Sequence, residues 1–205
     1  MSSHLNIFET YPKTNRTYQL ENDLTRALAI SLQENTLFFH EVLKAIFKDS
    51  NLYNTLFEDL GNEVYVSIEI QKHASQINDF EHVFAISLDE NEKADFWSQK
   101  YTTEYDPICD LVISINNILI VIEAKRDIKD CRSQLYNQIA NIFKKQHKDL
   151  SACKDQVTPV DLSWPKLMSI ATKAASFEKT SGIQDRFLND FIRLVKEHNF
   201  RWLPE

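Results

Sequence analysis

At 205 residues, with 43% hydrophobic and 26% charged side chains, the chain is long enough for one domain with a sizeable core and too apolar for wholesale disorder. A net charge of -7 and a pI of about 5.4 exclude a surface broadly coated in basic residues, though not a local basic strip. Its only two glycines, Gly61 and Gly182, exclude a P-loop and a dinucleotide-binding fingerprint, which need several closely spaced glycines.

Residues 1–18 are polar and aperiodic and read as an irregular lead-in. The spacing predicts a helix over 19–33, with Leu20, Leu24, Ala27, Leu28 and Ser31 on one stripe. A second helix is expected over 38–47, extending toward Leu60 and stopping at Gly61. The period then changes to two. Residues 63–71 alternate as a strand with one wet face, and 81–88 form the next strand. Residues 89–106 are a charged connection with a short helix near 94–100.

Two β-branched runs follow, 108–115 and 118–125, flanking Asn116-Asn117. Asn tolerates positive φ, so a two-residue type I′ hairpin is expected. Ile115 then pairs with Ile118, and Asp110 lies opposite Glu123. Lys125 shares the face of Glu123, together with Val112, Leu119 and Val121. The other face, from Cys109 through Ile122 to Ala124, is apolar throughout. After the hairpin, Asp130 can cap a helix over 131–147 whose stripe is Leu135, Ile139, Ile142 and Phe143. A short strand at 157–162, an unassigned stretch over 166–177 and a helix over 183–197, with Phe187, Phe191, Leu194 and Val195 inward, complete the chain.

The charged end of the hairpin carries the chemistry. Cross-strand partners stand roughly 5 Å apart, and two carboxylates at that distance cannot both ionise cheaply unless a cation lies between them. A hard divalent cation would serve, since Mg²⁺ uses one or two carboxylates plus waters and substrate phosphate. The competing reading is a solvated rim with an ordinary Glu123–Lys125 salt bridge.

Asp110, a hairpin, then Glu123-x-Lys125 resembles the core of the PD-(D/E)XK nuclease superfamily. The resemblance covers residues 19–148. It implies a restriction-endonuclease-like core in which Asp110 and Glu123 hold Mg²⁺ or Mn²⁺ and Lys125 assists the attacking water. The sequence departs from that pattern in placing Pro107 three residues before Asp110. By the same resemblance Glu21, on the first long helix, would stand on the metal side; the alternative is an acid favoured by the helix macrodipole. Gln134 and Gln138 share a helix face, and Gln138 falls on the inward side. Some branches carry a Gln here followed four residues later by Tyr, whereas this chain has Gln at that second place and Tyr136 elsewhere. Solvated glutamines are the plain alternative.

Lys125, Arg126, Lys129 and Arg132 make one basic run, and Lys144, Lys145 and Lys148 another. Such runs suit phosphate contacts but are also ordinary solvated faces. The scattered histidines argue against zinc. Cys109, Cys131 and Cys153 form neither a zinc pattern nor a disulfide framework, which suits a reducing cytoplasm. Residues 1–9 lack a signal-peptide core, and no long apolar run reads as a membrane span.

The expected fold is α/β or α+β: a mixed sheet of about four or five strands flanked by helices. We expect one domain over 1–205, with its core at 19–148 and a C-terminal helical part at 163–205. The expected function is metal-dependent hydrolysis of phosphodiester bonds in nucleic acid, DNA before RNA. Catalytic residues would be Asp110, Glu123, Lys125, Glu21 and Gln138, the metal resting on Asp110, Glu123 and Glu21. A protein partner or a second copy would supply substrate affinity that an acidic chain lacks, in a setting such as bacterial defence or genome maintenance. The alternative is a non-catalytic nucleic-acid-binding or complex-assembly subunit on the same fold.

Overall fold

A computed structural model describes residues 8, 17–47, 51–57, 63–78, 80–90, 95–102, 106–126, 131–183 and 185–204, the side chains of 17–21 excepted. The fold is α+β. Two compact units form, one drawn from Met1–Asp49 and Trp164–Glu205, the other from Ser50–Ser163.

The first unit is helical: α1 (Thr17–Glu34), α2 (Thr36–Ile46), α5 (Trp164–Thr180) and α6 (Arg186–His198). The expected α1 stripe is inward from Leu24 on, with Leu24, Ala27, Leu28 and Ser31 all buried; the Leu20 side chain lies outside the described residues. Asn35 separates α1 from α2 because its side chain accepts the Phe38 N–H at 2.7 Å, capping α2, while its amide donates to Glu178 Oε1 at 2.8 Å. The helix expected to run on toward Leu60 instead breaks into α2 and a separate α3 (Leu52–Phe57), which belongs to the second unit. Its proposed stop, Gly61, lies outside the described residues. The stretch unassigned in sequence is α5, with Pro165 in the first turn, where a missing N–H costs nothing. Asp185 caps α6 through the Leu188 N–H at 2.8 Å. Leu188, rather than Phe187, takes the fully buried place beside Phe191 and Val195, and Phe187 is half-buried.

The second unit holds a five-stranded mixed sheet: β1 (Val66–His73), β2 (His82–Leu88), β3 (Ile108–Ile115), β4 (Ile118–Ala124) and β5 (Val157–Asp161), in the order β1-β3-β4-β2-β5. The β3–β4 hairpin has the expected register, Ile115 with Ile118 through Leu111 with Ile122. Its turn differs from expectation. Asn116 has φ 51, but Asn117 does not share positive φ, so the turn is not type I′. Contacts outside the hairpin hold it: Asn116 Oδ1 accepts the Tyr65 N–H at 2.9 Å, and the Asn117 carbonyl accepts the Glu81 N–H at 2.8 Å.

The parallel pairing of β2 with both β4 and β5 builds the rest of the sheet. α4 (Arg132–Lys145) packs against the face carrying Val112, Leu119, Val121, Val83 and Ala85, through Leu135, Ile139, Ile142 and Phe143. Cys109, expected with the opposite face, joins this cluster. That opposite face is fully buried at Leu111, Ile113, Ile120 and Ile122. β1 has no single wet face: Val66 and Ile70 are exposed along with their polar neighbours, because β1 is the sheet's margin. The residue before α4 is Cys131, which makes no side-chain cap, and the expected cap Asp130 lies outside the described residues.

Candidate active site

Glu123 is the penultimate residue of β4 and is 0% exposed. The hairpin pairing runs as far as Leu111 with Ile122, and Asp110 is the next residue outward on β3, near enough for its carboxylate to act on Glu123. Lys125 follows the strand end, where its N–H still bonds the Leu88 carbonyl at 2.9 Å, so the chain stays extended. Its ammonium lies 2.7 Å from Glu123 Oε1. From α4, Gln138 Nε2 donates to Glu123 Oε2 at 2.7 Å and to the Ile108 carbonyl at 2.8 Å. Asp110 is half-buried; its Oδ2 accepts the Ala124 N–H and its Oδ1 accepts from Gln71 Nε2, both at 3.3 Å.

The electrostatics follow from this packing. Burial, and then the neighbouring Asp110 carboxylate, push the Glu123 carboxyl up to about 8; Lys125 and Gln138 pull the other way without winning. At pH 7 burial and the Asp110 carboxylate thus keep a proton on much of Glu123. The burial of Cys109 raises its thiol strongly, with Glu123 and Asp110 adding to the effect, so it is a poor nucleophile at neutral pH.

A proton held on a buried carboxyl beside a second carboxylate is the observation against which a metal can be tested. A divalent cation beside Asp110 and Glu123 would displace that proton and favour the ionised carboxylate. Among the described residues, no group of three or more His, Cys, Asp and Glu side chains is placed to hold a metal. The protein donors such a cation would find are the two carboxylates, a pair whose hard oxygens suit Mg²⁺ or Mn²⁺ with water completing the shell. Comparison with protein-family models, curated proteins and solved structures finds no match.

Of the expected site residues, the structure brings together Asp110, Glu123, Lys125 and Gln138. Glu21 is the fifth residue of α1, beyond the first turn in which the macrodipole would favour it; its side chain lies outside the described residues. Gln134 is exposed and apart from these contacts, the solvated outcome of its two readings. Gln138 is fully buried and touches Glu123, so it positions the carboxylate.

Sequence reasoning missed a polar row beside the pair. Parallel register sets Ser87 of β2 next to Glu123 and Asp161 of β5 next to Ser87, all on the same face. Ser87 Oγ donates to Asp161 Oδ1. Arg132, at the start of α4, bridges Asp161 at 3.0 Å and Asp89 at 2.9 Å. One signal was available: Ser87 is the single polar residue within the buried run 83–88.

Gln138→Ala should destabilise the protein by roughly 2–4 kcal/mol, because it strands the Ile108 carbonyl and one Glu123 oxygen in a buried place. Urea unfolding at pH 7 measures this, and a cost within experimental error would remove Gln138 from its positioning role.

Proposed function

We propose that the protein is a metal-dependent nuclease, similar in its site to the PD-(D/E)XK superfamily. One observation carries the reading: Asp110, buried Glu123 and Lys125 meet at one end of the central hairpin, where burial and the Asp110 carboxylate push the Glu123 carboxyl up to about 8. The α+β fold, with an antiparallel hairpin extended by a parallel strand and backed by α4, supports it.

Asp110 and Glu123 would hold Mg²⁺ or Mn²⁺. When bound, the cation would supply Lewis acidity at a phosphate oxygen and lower the pKa of a bound water. The chain's own residues do the rest. Gln138 holds Glu123 in one orientation through its amide. Lys125 retains 17% side-chain exposure while touching Glu123, so its ammonium stands between the buried carboxylate and solvent. There it can donate a hydrogen bond to a phosphate oxygen or orient the attacking water, a contact that strengthens as charge develops.

A second reading draws on the complete burial of Glu123. A carboxylate already covered and ion-paired also suits a non-catalytic nucleic-acid-binding or assembly subunit. No helix among the described residues is long and apolar enough to cross a membrane, and neither reading needs one.

Asp110→Asn tests the metal half of the proposal. Mg²⁺ or Mn²⁺ at 100 times its Kd should stabilise the native protein by about 2.7 kcal/mol, and most of that gain should vanish in Asp110→Asn. Calorimetric unfolding with and without each ion reads it. Equal gains in both proteins would place the ion elsewhere, and no gain in either would remove the metal site.

A further inference from the structure

The segment 131–148 contains four cations (Arg132, Lys144, Lys145 and Lys148) and no acid, so the rest of a chain at -7 overall stands at -11. Three of these lysines, Lys144, Lys145 and Lys148, are exposed at the C-terminal end of α4. Lysines at a helix C-terminus are common because they complement the macrodipole. The macrodipole does not explain the aromatic ring held among them. Tyr101 is 39% exposed, and Lys144 Nζ lies 5.4 Å from its ring centre. The ring is anchored: its hydroxyl donates to Asn141 Oδ1 at 3.2 Å, and the next residue, Thr102, donates its N–H to Asn137 Oδ1 at 3.0 Å. Asn137, Asn141 and Lys144 recur at helical spacing along one side of α4, and Lys148 follows just past the helix end. On the same helix, Gln138 touches Glu123, and Lys144 lies about 9 Å further along at 1.5 Å per residue.

We propose that an unpaired nucleic-acid strand runs along α4 to the Asp110–Glu123–Lys125 site, its phosphates on Lys144, Lys145 and Lys148 and one base stacked on Tyr101. This rests on the nuclease reading and names its substrate as single-stranded. An exposed ring can take a base only if the base is free of its partner, which selects a single strand, a loop or an end over an intact duplex. An exposed cation–π contact is weaker than a base–aromatic stack, so an incoming base displaces Lys144 from the ring and leaves its ammonium for phosphate. The neutral amides of Asn137 and Asn141 repel neither phosphate nor base. Trp97 also has a lysine over it, Lys154 at 5.3 Å, but it is half-buried against the core and serves packing.

Fluorescence anisotropy on the full chain in EDTA, which prevents turnover, tests the path. The probes are labelled single-stranded DNA, single-stranded RNA and a DNA duplex of the same sequence. The native protein should prefer a single strand, and the stronger of the DNA and RNA arms identifies the sugar. Tyr101→Ala should weaken single-strand binding by about 5- to 150-fold and Tyr101→Phe should restore it, since stacking needs the ring and not the hydroxyl. Replacing Lys144, Lys145 and Lys148 by Gln together should flatten the salt slope by about 2. Thermal melts confirm that each variant is folded. Equal binding by Tyr101→Ala and the native protein, or equal binding of duplex and single strand, overturns the path. Cleavage indifferent to Tyr101 and the three lysines would sink the path and leave the nuclease. Tyr101-dependent binding with no cleavage under any metal would do the reverse.

Discussion

Lys125→Ala should lower Mg²⁺- or Mn²⁺-supported cleavage by about 10²–10³-fold, the loss expected when one preorganised donor is removed from developing charge. The ammonium sits 2.7 Å from Glu123, so the substitution also removes the principal charge opposing Glu123 protonation. The Glu123 carboxyl would then rise further above about 8 and stand neutral at pH 7. That neutralisation limits the folding cost, because no uncompensated buried charge is left behind. The variant should therefore stay folded at neutral pH and keep most of its binding, since one contact among several phosphate contacts is lost. A digestion panel of single- and double-stranded DNA and RNA compares it with the native protein, with any partner present. Equal cleavage by both would take Lys125 out of the mechanism. Binding without cleavage by the native protein on every substrate would favour the subunit reading.

The second large effect is on stability and its dependence on pH. Unfolded, Glu123 titrates near 4.5; folded, at about 8. Between those values the folded chain holds a proton that the unfolded chain has released. The stability tied to this group is thus fully present below about 4.5 and is lost as pH rises through about 8. At about 1.4 kcal/mol for each tenfold change in the proton equilibrium, the loss reaches about 5 kcal/mol. Glu123→Gln removes the titration while keeping an acceptor for Gln138 Nε2. It should match the native protein near pH 5 and exceed it by several kcal/mol near pH 9, measured by urea unfolding across that range in EDTA. Added Mg²⁺ or Mn²⁺ should reverse the order at high pH, since only the native carboxylate can use the ion. Parallel pH profiles for the two proteins would show that Glu123 is not held protonated.

The central hairpin was legible in local sequence. Two apolar runs around Asn116-Asn117 set the register from Ile115–Ile118 to Leu111–Ile122, and the contact of Glu123 with Lys125 two residues on is likewise local. The inward position of Gln138 followed equally locally, from the helical period of Leu135, Ile139 and Ile142. Neighbours distant in the chain settle the rest. Asn116 is held by Tyr65 and Asn117 by Glu81, and these contacts accompany a turn that dipeptide preference alone reads as type I′. The alternating run around Val66 and Ile70 reads as half-buried, yet its place at the sheet margin exposes both faces. Ser87 and Asp161 join the polar row because β2 pairs in parallel with β4 and β5, an arrangement no short stretch encodes. The pKa of Glu123 belongs to the same class. Its carboxyl is ordinary as a residue type and is shifted only because folding removes its water and sets Asp110 beside it.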